Sequence, residues 1–138
     1  MKIILNKCYG GFGISIAGYK LYAQKKNQPL YIYERSLADF RYLKKVSEGE
    51  TPHIPYYSFR DMGDTFDINE AKKPNNGFIY LDTDYREDPT LIEVVEELGE
   101  EANGTFADLE VVEIPDGIEY TIYDYDGIET LCEVGHTW

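Results

Sequence analysis

Residues 2–35 read KIILNKCYGGFGISIAGYKLYAQKKNQPLYIYER, and their patterning sets the expectation for the fold. Ile3, Ile4 and Leu5 form a short apolar run within Lys2–Cys8, as a buried strand does, and Gly10-Gly11 stops it. A helix is predicted from Ser15 to Asn27. Ser15 is a good N-cap, Ile14 before it can pack on Tyr19, and Ile14, Ala17 or Gly18, Leu21 and Tyr22 make an inward stripe. Lys25 and Lys26 favour the carbonyl end of that helix, and Pro29 stops it. Leu30–Arg35 then alternates Tyr31 and Tyr33 with Leu30 and Ile32 as a second strand. Strand, helix, strand in this order predicts a parallel, right-handed crossover unit.

Outward from this unit, Ser36 is predicted to cap a shorter helix with apolar residues at Leu37, Phe40, Leu43 and Val46. Residues 48–77 read as an irregular region, punctuated by Pro52, Pro55, Gly63, Pro74 and Asn76-Gly77. Its aromatics (Tyr56, Tyr57, Phe59, Phe66) argue that it packs. Phe78–Asp82 reads as a strand.

The best-specified element follows, with Asp88 as N-cap and Pro89 at the first helical position, where a missing N–H is harmless. Leu91, Val94, Val95, Leu98 and Ala102 form its apolar face; Glu93, Glu96, Glu97, Glu100 and Glu101 form the other, and Asn103-Gly104 is predicted to end it in a left-handed cap. Five glutamates with no lysine on their own helix must be solvated or met by something basic. Leu109–Ile114, Glu119–Tyr125 and Ile128–Val134 read as strands, with Asp126-Gly127 as a hairpin turn. The expected fold is a single α/β (α+β) domain over residues 1–138. It would hold a mixed sheet of about five or six strands, two or three helices, an N-terminal β-α-β unit and a C-terminal β-hairpin.

Composition narrows the function classes. A hydrophobic fraction of 43%, with 13 tyrosines among 138 residues, marks a folded chain despite a net charge of -13. No apolar run approaches the roughly 18 residues of a membrane span. The opening apolar stretch is also far shorter than a signal-peptide core, so a cytoplasmic location is expected. Residues 1–60 hold ten Lys or Arg against four Asp or Glu; residues 61–138 hold three against twenty-two, and Arg86 is the last cation. An acidic half of this density argues against nucleic acid, whose binding needs Lys and Arg on phosphates. It suits solubility, a basic partner protein or a divalent cation, and within one domain the basic half can also fold against the acidic half. Cys8 and Cys132 lack the short spacings of a zinc site, with or without His53 and His136. No cofactor is implied.

Two regions could carry chemistry. Cys8-Tyr-Gly-Gly-Phe-Gly-Ile-Ser15 places glycines between a strand and a helix N-terminus, where free backbone N–H groups can bind an anion. It fits neither a P-loop nor G-x-G-x-x-G, since Ile16 stands where the last glycine should fall, and the competing reading is a tight turn that needs glycine. Asp82, Asp84, Glu87 and Asp88 cluster around Arg86 after a strand; they can serve a metal, but Asp88 has a capping role and Arg86 most simply neutralises these neighbours. His136 and Trp138 could anchor the tail or contact a partner.

Three segments together resemble a family of small uncharacterised proteins of tailed bacteriophages and prophages: Asn6–Ser15, Asp88–Gly99, and Glu113-Ile-Pro-Asp-Gly through Tyr125-Asp-Gly127 to His136-Thr-Trp138. The resemblance implies an accessory phage protein in the bacterial cytoplasm. It points to Gly10, Gly11, Phe12, Gly13 and Ser15, to Arg86 and Asp88, and to Asp126, Gly127, His136 and Trp138. Relatives carry a basic residue beside the final histidine, where this chain has Gly135 and Thr137. The function expected is a non-enzymatic binding protein for host takeover or counter-defence. It would hold a small anionic ligand at Gly10, Gly11, Phe12, Gly13 and Ser15 with Arg86, His136 and Trp138, or a basic host protein on the acidic face. The alternatives are a metal-assisted hydrolase using Asp82, Asp84 and His136, and a homo-oligomeric assembly protein.

Overall fold

The computed structural model describes residues 1–47, 49–50, 52, 54–71, 78–133 and 136–137. In chain order the first elements are β1 (Lys2–Asn6), α1 (Ile16–Lys25), β2 (Tyr31–Arg35), β3 (Tyr42–Lys45), β4 (Tyr56–Ser58), β5 (Thr65–Asp67), α2 (Ile68–Ala71) and β6 (Phe78–Ile79). Then come α3 (Pro89–Leu98), β7 (Leu109–Glu113), β8 (Tyr120–Tyr125), β9 (Ile128–Glu133) and β10 (His136–Thr137). Helices and strands are thus mixed as expected. Packing divides the chain into two units, Met1–Lys26 with Leu81–Trp138, and Asn27–Tyr80. Among the described residues no helix is long and apolar enough to cross a membrane.

In the first unit β1 pairs antiparallel with β7, from Lys2 opposite Glu113 to Asn6 opposite Leu109. β8 and β9 form the hairpin expected at Asp126-Gly127, and β10 adds to β9, in the order β10-β9-β8. Ile3, Leu5, Ile114 and Leu131 make the buried cluster, with Val112, Ile118, Tyr120 and Ile122 packed around it. Ser15 caps α1 by accepting the Gly18 N–H (3.1 Å). Asp88 caps α3 by accepting the Thr90 N–H (2.8 Å), and its other oxygen accepts the Tyr22 hydroxyl (2.7 Å). Burial together with that carboxylate pushes the Tyr22 phenol well above its ordinary range.

The glutamate face of α3 is met by lysines from elsewhere in this unit. Lys2 reaches Glu96 at 2.9 Å, and Lys25 reaches Glu97 at 2.6 Å and Glu93 at 3.5 Å. Part of the basic half therefore does fold against the acidic half. The left-handed end of the helix falls at Gly99 (φ 58), not at Asn103-Gly104: a 3-10 turn, Gly99–Ala102, continues from it, and Asn103 has φ -70. Asn103 instead uses its side chain to accept the Leu109 N–H at the start of β7 (2.8 Å).

The second unit is a five-stranded sheet in the order β5-β3-β2-β4-β6, antiparallel at every pairing. Tyr33, Leu43 and Ile68 form its core, and Phe78 packs edge-on against Tyr33, Tyr56 and Phe66. The Tyr33 hydroxyl donates to the Gly63 carbonyl (2.8 Å) and accepts the Met62 N–H (2.9 Å), so its polar end is satisfied.

Three expectations are corrected. The strand-helix-strand order exists, but β1 and β2 lie in separate sheets and every described strand pair is antiparallel, so there is no parallel crossover. The helix expected from Ser36 is absent. Ser36 caps only a turn, its Oγ accepting the Asp39 N–H (3.3 Å), while Leu37 and Phe40 are exposed and Leu43 belongs to β3. Where residues 48–77 are described they are not wholly irregular, because β4, β5 and α2 fall there and the two strands join the sheet.

Candidate binding cleft

Two turns meet in the first unit. The β8–β9 turn has Asp126 at φ 50 and Gly127 at φ 93, the left-handed pair that a two-residue hairpin requires. The Asp124 carboxylate accepts the Gly127 N–H (2.8 Å). Against this turn lies the glycine turn after β1, with Gly10 at φ 118. The Gly10 N–H donates to the Asp126 carbonyl (3.0 Å), and a Cβ on residue 127 would run into the Gly10 and Gly11 amide nitrogens. Only glycine permits so close an approach.

A buried polar assembly holds the two turns together. Asn6 is fully buried, and its amide donates to the Cys8 carbonyl (2.8 Å) and the Gly127 carbonyl (2.6 Å). Its Oδ1 accepts the N–H groups of Cys8 (3.4 Å) and Asp108 (2.9 Å). Glu129 accepts the Asn6 N–H (2.8 Å) and receives Arg86 at both oxygens, Nη1 at 3.1 Å and Nη2 at 2.7 Å. Arg86 Nη1 also donates to the Ile4 carbonyl (2.9 Å), and the guanidinium lies over the Phe12 ring, 5.5 Å from its centroid. The paired side chains are 11% and 4% exposed, so this is a buried, bidentate ion pair.

The meeting of the turns leaves an open cleft of about 650 Å³ lined by Tyr9, Gly10, Gly11, Asp124, Asp126 and Gly127. The two carboxylates are its charged groups, and both residues are exposed. A phosphate here would face their charge with the Gly10 amide already engaged, whereas a guanidinium or ammonium group would be attracted. Tyr9 and Phe106 are exposed beside the glycine turn, at 61% and 73%.

The residues singled out from the sequence therefore separate. Gly10 and Gly11 line the cleft. Gly13 accepts the Gly104 N–H through its carbonyl (2.9 Å), Ser15 caps α1, and Phe12 lies under Arg86. Arg86 does not neutralise Asp82, Asp84, Glu87 or Asp88, as the sequence reading had it; its partner is Glu129, 43 residues away. His136 contributes backbone to β10, and Trp138 and His53 lie outside the described residues. Asp82 caps the 3-10 turn Thr83–Tyr85 by accepting the Asp84 N–H (3.0 Å). Among the described residues no three His, Cys, Asp or Glu side chains converge as metal ligands, and Cys8 and Cys132 are free thiols.

Sequence reasoning missed Asn6, Glu129, Asp124 and Tyr9. A signal existed for Glu129: it alternates with Leu131 on β9, so its side chain shares the core-facing side with Leu131, and a buried glutamate demands a cation. Arg86 is the only one that residues 81–138 supply.

Comparison with protein-family models, with curated proteins and with solved structures gives no match.

Proposed function

We propose that this is a non-enzymatic binding protein that receives a basic segment of a partner protein at the cleft between the glycine turn and the β8–β9 turn. The observation that carries the reading is the lining of that cleft, where Asp124 and Asp126 stand beside a Gly10 amide already bonded to the chain's own carbonyl. This favours the basic-protein version over a small anionic ligand. The acidity of residues 81–138, eighteen Asp or Glu against Arg86 alone, extends the same preference beyond the cleft and would speed encounter with a cationic partner. The resemblance to phage proteins fits an accessory role in which the partner belongs to the host.

Calorimetric titration tests this, using a Lys- and Arg-rich hexapeptide on one side and orthophosphate and nucleotides on the other. The peptide should bind, weakening as salt rises. Asp124→Asn/Asp126→Asn, which keeps the turn's hydrogen bonds, should weaken it by roughly tenfold, about 1.4 kcal/mol. Binding of phosphate or nucleotide, with none of the peptide, would overturn the reading.

A further inference from the structure

β8 is an edge strand. The three-stranded sheet runs β10-β9-β8, and among the described residues no strand pairs along the far side of β8. Its six residues, Tyr120–Tyr125, offer about 20 Å of backbone at a strand's usual rise. In a two-residue hairpin the closing pair, here Tyr125 and Ile128, exchange both hydrogen bonds, and the bonding alternates from there. Thr121, Tyr123 and Tyr125 thus bond to β9, and the backbone groups of Tyr120, Ile122 and Asp124 point to the open side. Side chains alternate as well. Ile122 and Tyr120 face the core cluster, with Asp124 on the same face, while Tyr123 and Tyr125 stand on the opposite face at 66% and 63% exposure.

Proteins normally blunt such an edge with lysines, a proline or a bulge. β8 has none of these: its one charge is Asp124, Asp126 follows, and Arg86 is engaged by Glu129. We infer that the free edge of β8 is a strand-addition site for an extended, positively charged segment of a partner protein. Basic side chains of that segment would fall on the Asp124 side, and apolar or aromatic ones on Tyr123 and Tyr125. Backbone pairing would supply affinity and the alternating side chains specificity. A second copy of this chain is the wrong occupant, because its acidic residues would be brought against these same carboxylates at a net charge of -13 each. The inference rests on the proposed binding of a basic partner and specifies how that partner is held.

The probe is an end-blocked hexapeptide of alternating Lys and Val, with an analogue N-methylated at every residue so that neither of its edges can donate hydrogen bonds to a strand. Binding is followed by calorimetry and by NMR hydrogen exchange on the intact protein. The expected result is that the Tyr120, Ile122 and Asp124 amides become protected, that the methylated analogue neither protects them nor binds within tenfold as tightly, and that Asp124→Asn weakens the plain peptide. If the peptide binds and shifts cleft residues while those three amides exchange as in the free protein, strand addition is overturned and the cleft reading survives. If no basic peptide binds, both fall. Protection of the same amides without peptide, rising with protein concentration, would mark a second copy as the occupant and also overturn the inference.

Discussion

Arg86→Met removes the cation paired with the Glu129 carboxylate, which is 4% exposed. Among the described residues this leaves that carboxylate the Asn6 N–H as its hydrogen-bond partner, with the Lys7 ammonium on the Glu129 backbone carbonyl (3.2 Å). Removing one member of a buried pair costs about 3–5 kcal/mol, because the remaining charge is neither hydrated nor matched. Both side chains are nearly out of solvent, so screening takes little from that figure. Set against a total stability of roughly 5–15 kcal/mol, the loss approaches complete unfolding of a marginal chain. At roughly 2–4 °C per kcal/mol for a chain near this length, the melting point should fall by about 6–20 °C. The double variant Arg86→Met/Glu129→Gln keeps an oxygen for the Asn6 N–H and removes the stranded charge, so it should recover at least half of the loss. Urea unfolding followed by circular dichroism gives all four corners of the cycle, with an expected coupling of about 2 kcal/mol or more. A loss below about 1 kcal/mol in Arg86→Met, or a double variant no more stable than the single, would refute the role assigned to the pair.

Gly127→Ala should destabilise the first unit by roughly 2–5 kcal/mol, adding a collision with the Gly10 and Gly11 nitrogens to the strain of a side chain at φ 93. Gly117→Ala, at φ 75 with nothing within 4 Å, carries the strain alone and should lose only about 1 kcal/mol; equal losses in urea melts would show that the contact is unimportant. Burial, then the hydrogen bond to Glu87, pushes the Tyr120 phenol up to about 12 from 10.0. The folded state therefore holds that proton where the unfolded chain loses it. The associated stability is complete below pH 10 and disappears as pH rises towards 12. Thermal melts across that window should decline less steeply in Tyr120→Phe, and identical slopes would count against the shift.

The parts of the fold that were legible in the sequence are those set by local chemistry. Asp88-Pro89 starts a helix because a carboxylate and a proline each suit a fixed position, and Ser15 and Asp126-Gly127 work the same way. What stayed hidden depends on distant pairing. Nothing in Ile3-Ile4-Leu5 says that β1 will pair with β7, more than a hundred residues on, instead of lying beside β2. Leu37, Phe40 and Leu43 carry helical spacing, yet Leu43 is claimed by Tyr33 and Ile68 across the second sheet, and the local pattern yields. The cleft was half visible. Glycines at 10 and 11 mark a turn of unusual backbone, but the same composition serves an anion cradle and a close contact between two chain segments. Asn6 and Glu129, 123 positions apart, decide for the contact by bonding to each other.

Hydrogen exchange at the Gly10 amide bears most directly on the claim that this amide is bonded to the β8–β9 turn and is not free to hold an anion. Donation to the Asp126 carbonyl should slow its exchange by on the order of tenfold or more relative to an unstructured glycine, and orthophosphate should leave that rate and the Gly10–Gly13 resonances unchanged. Exchange at the unstructured rate, with resonances that move and saturate as phosphate is added, would contradict it.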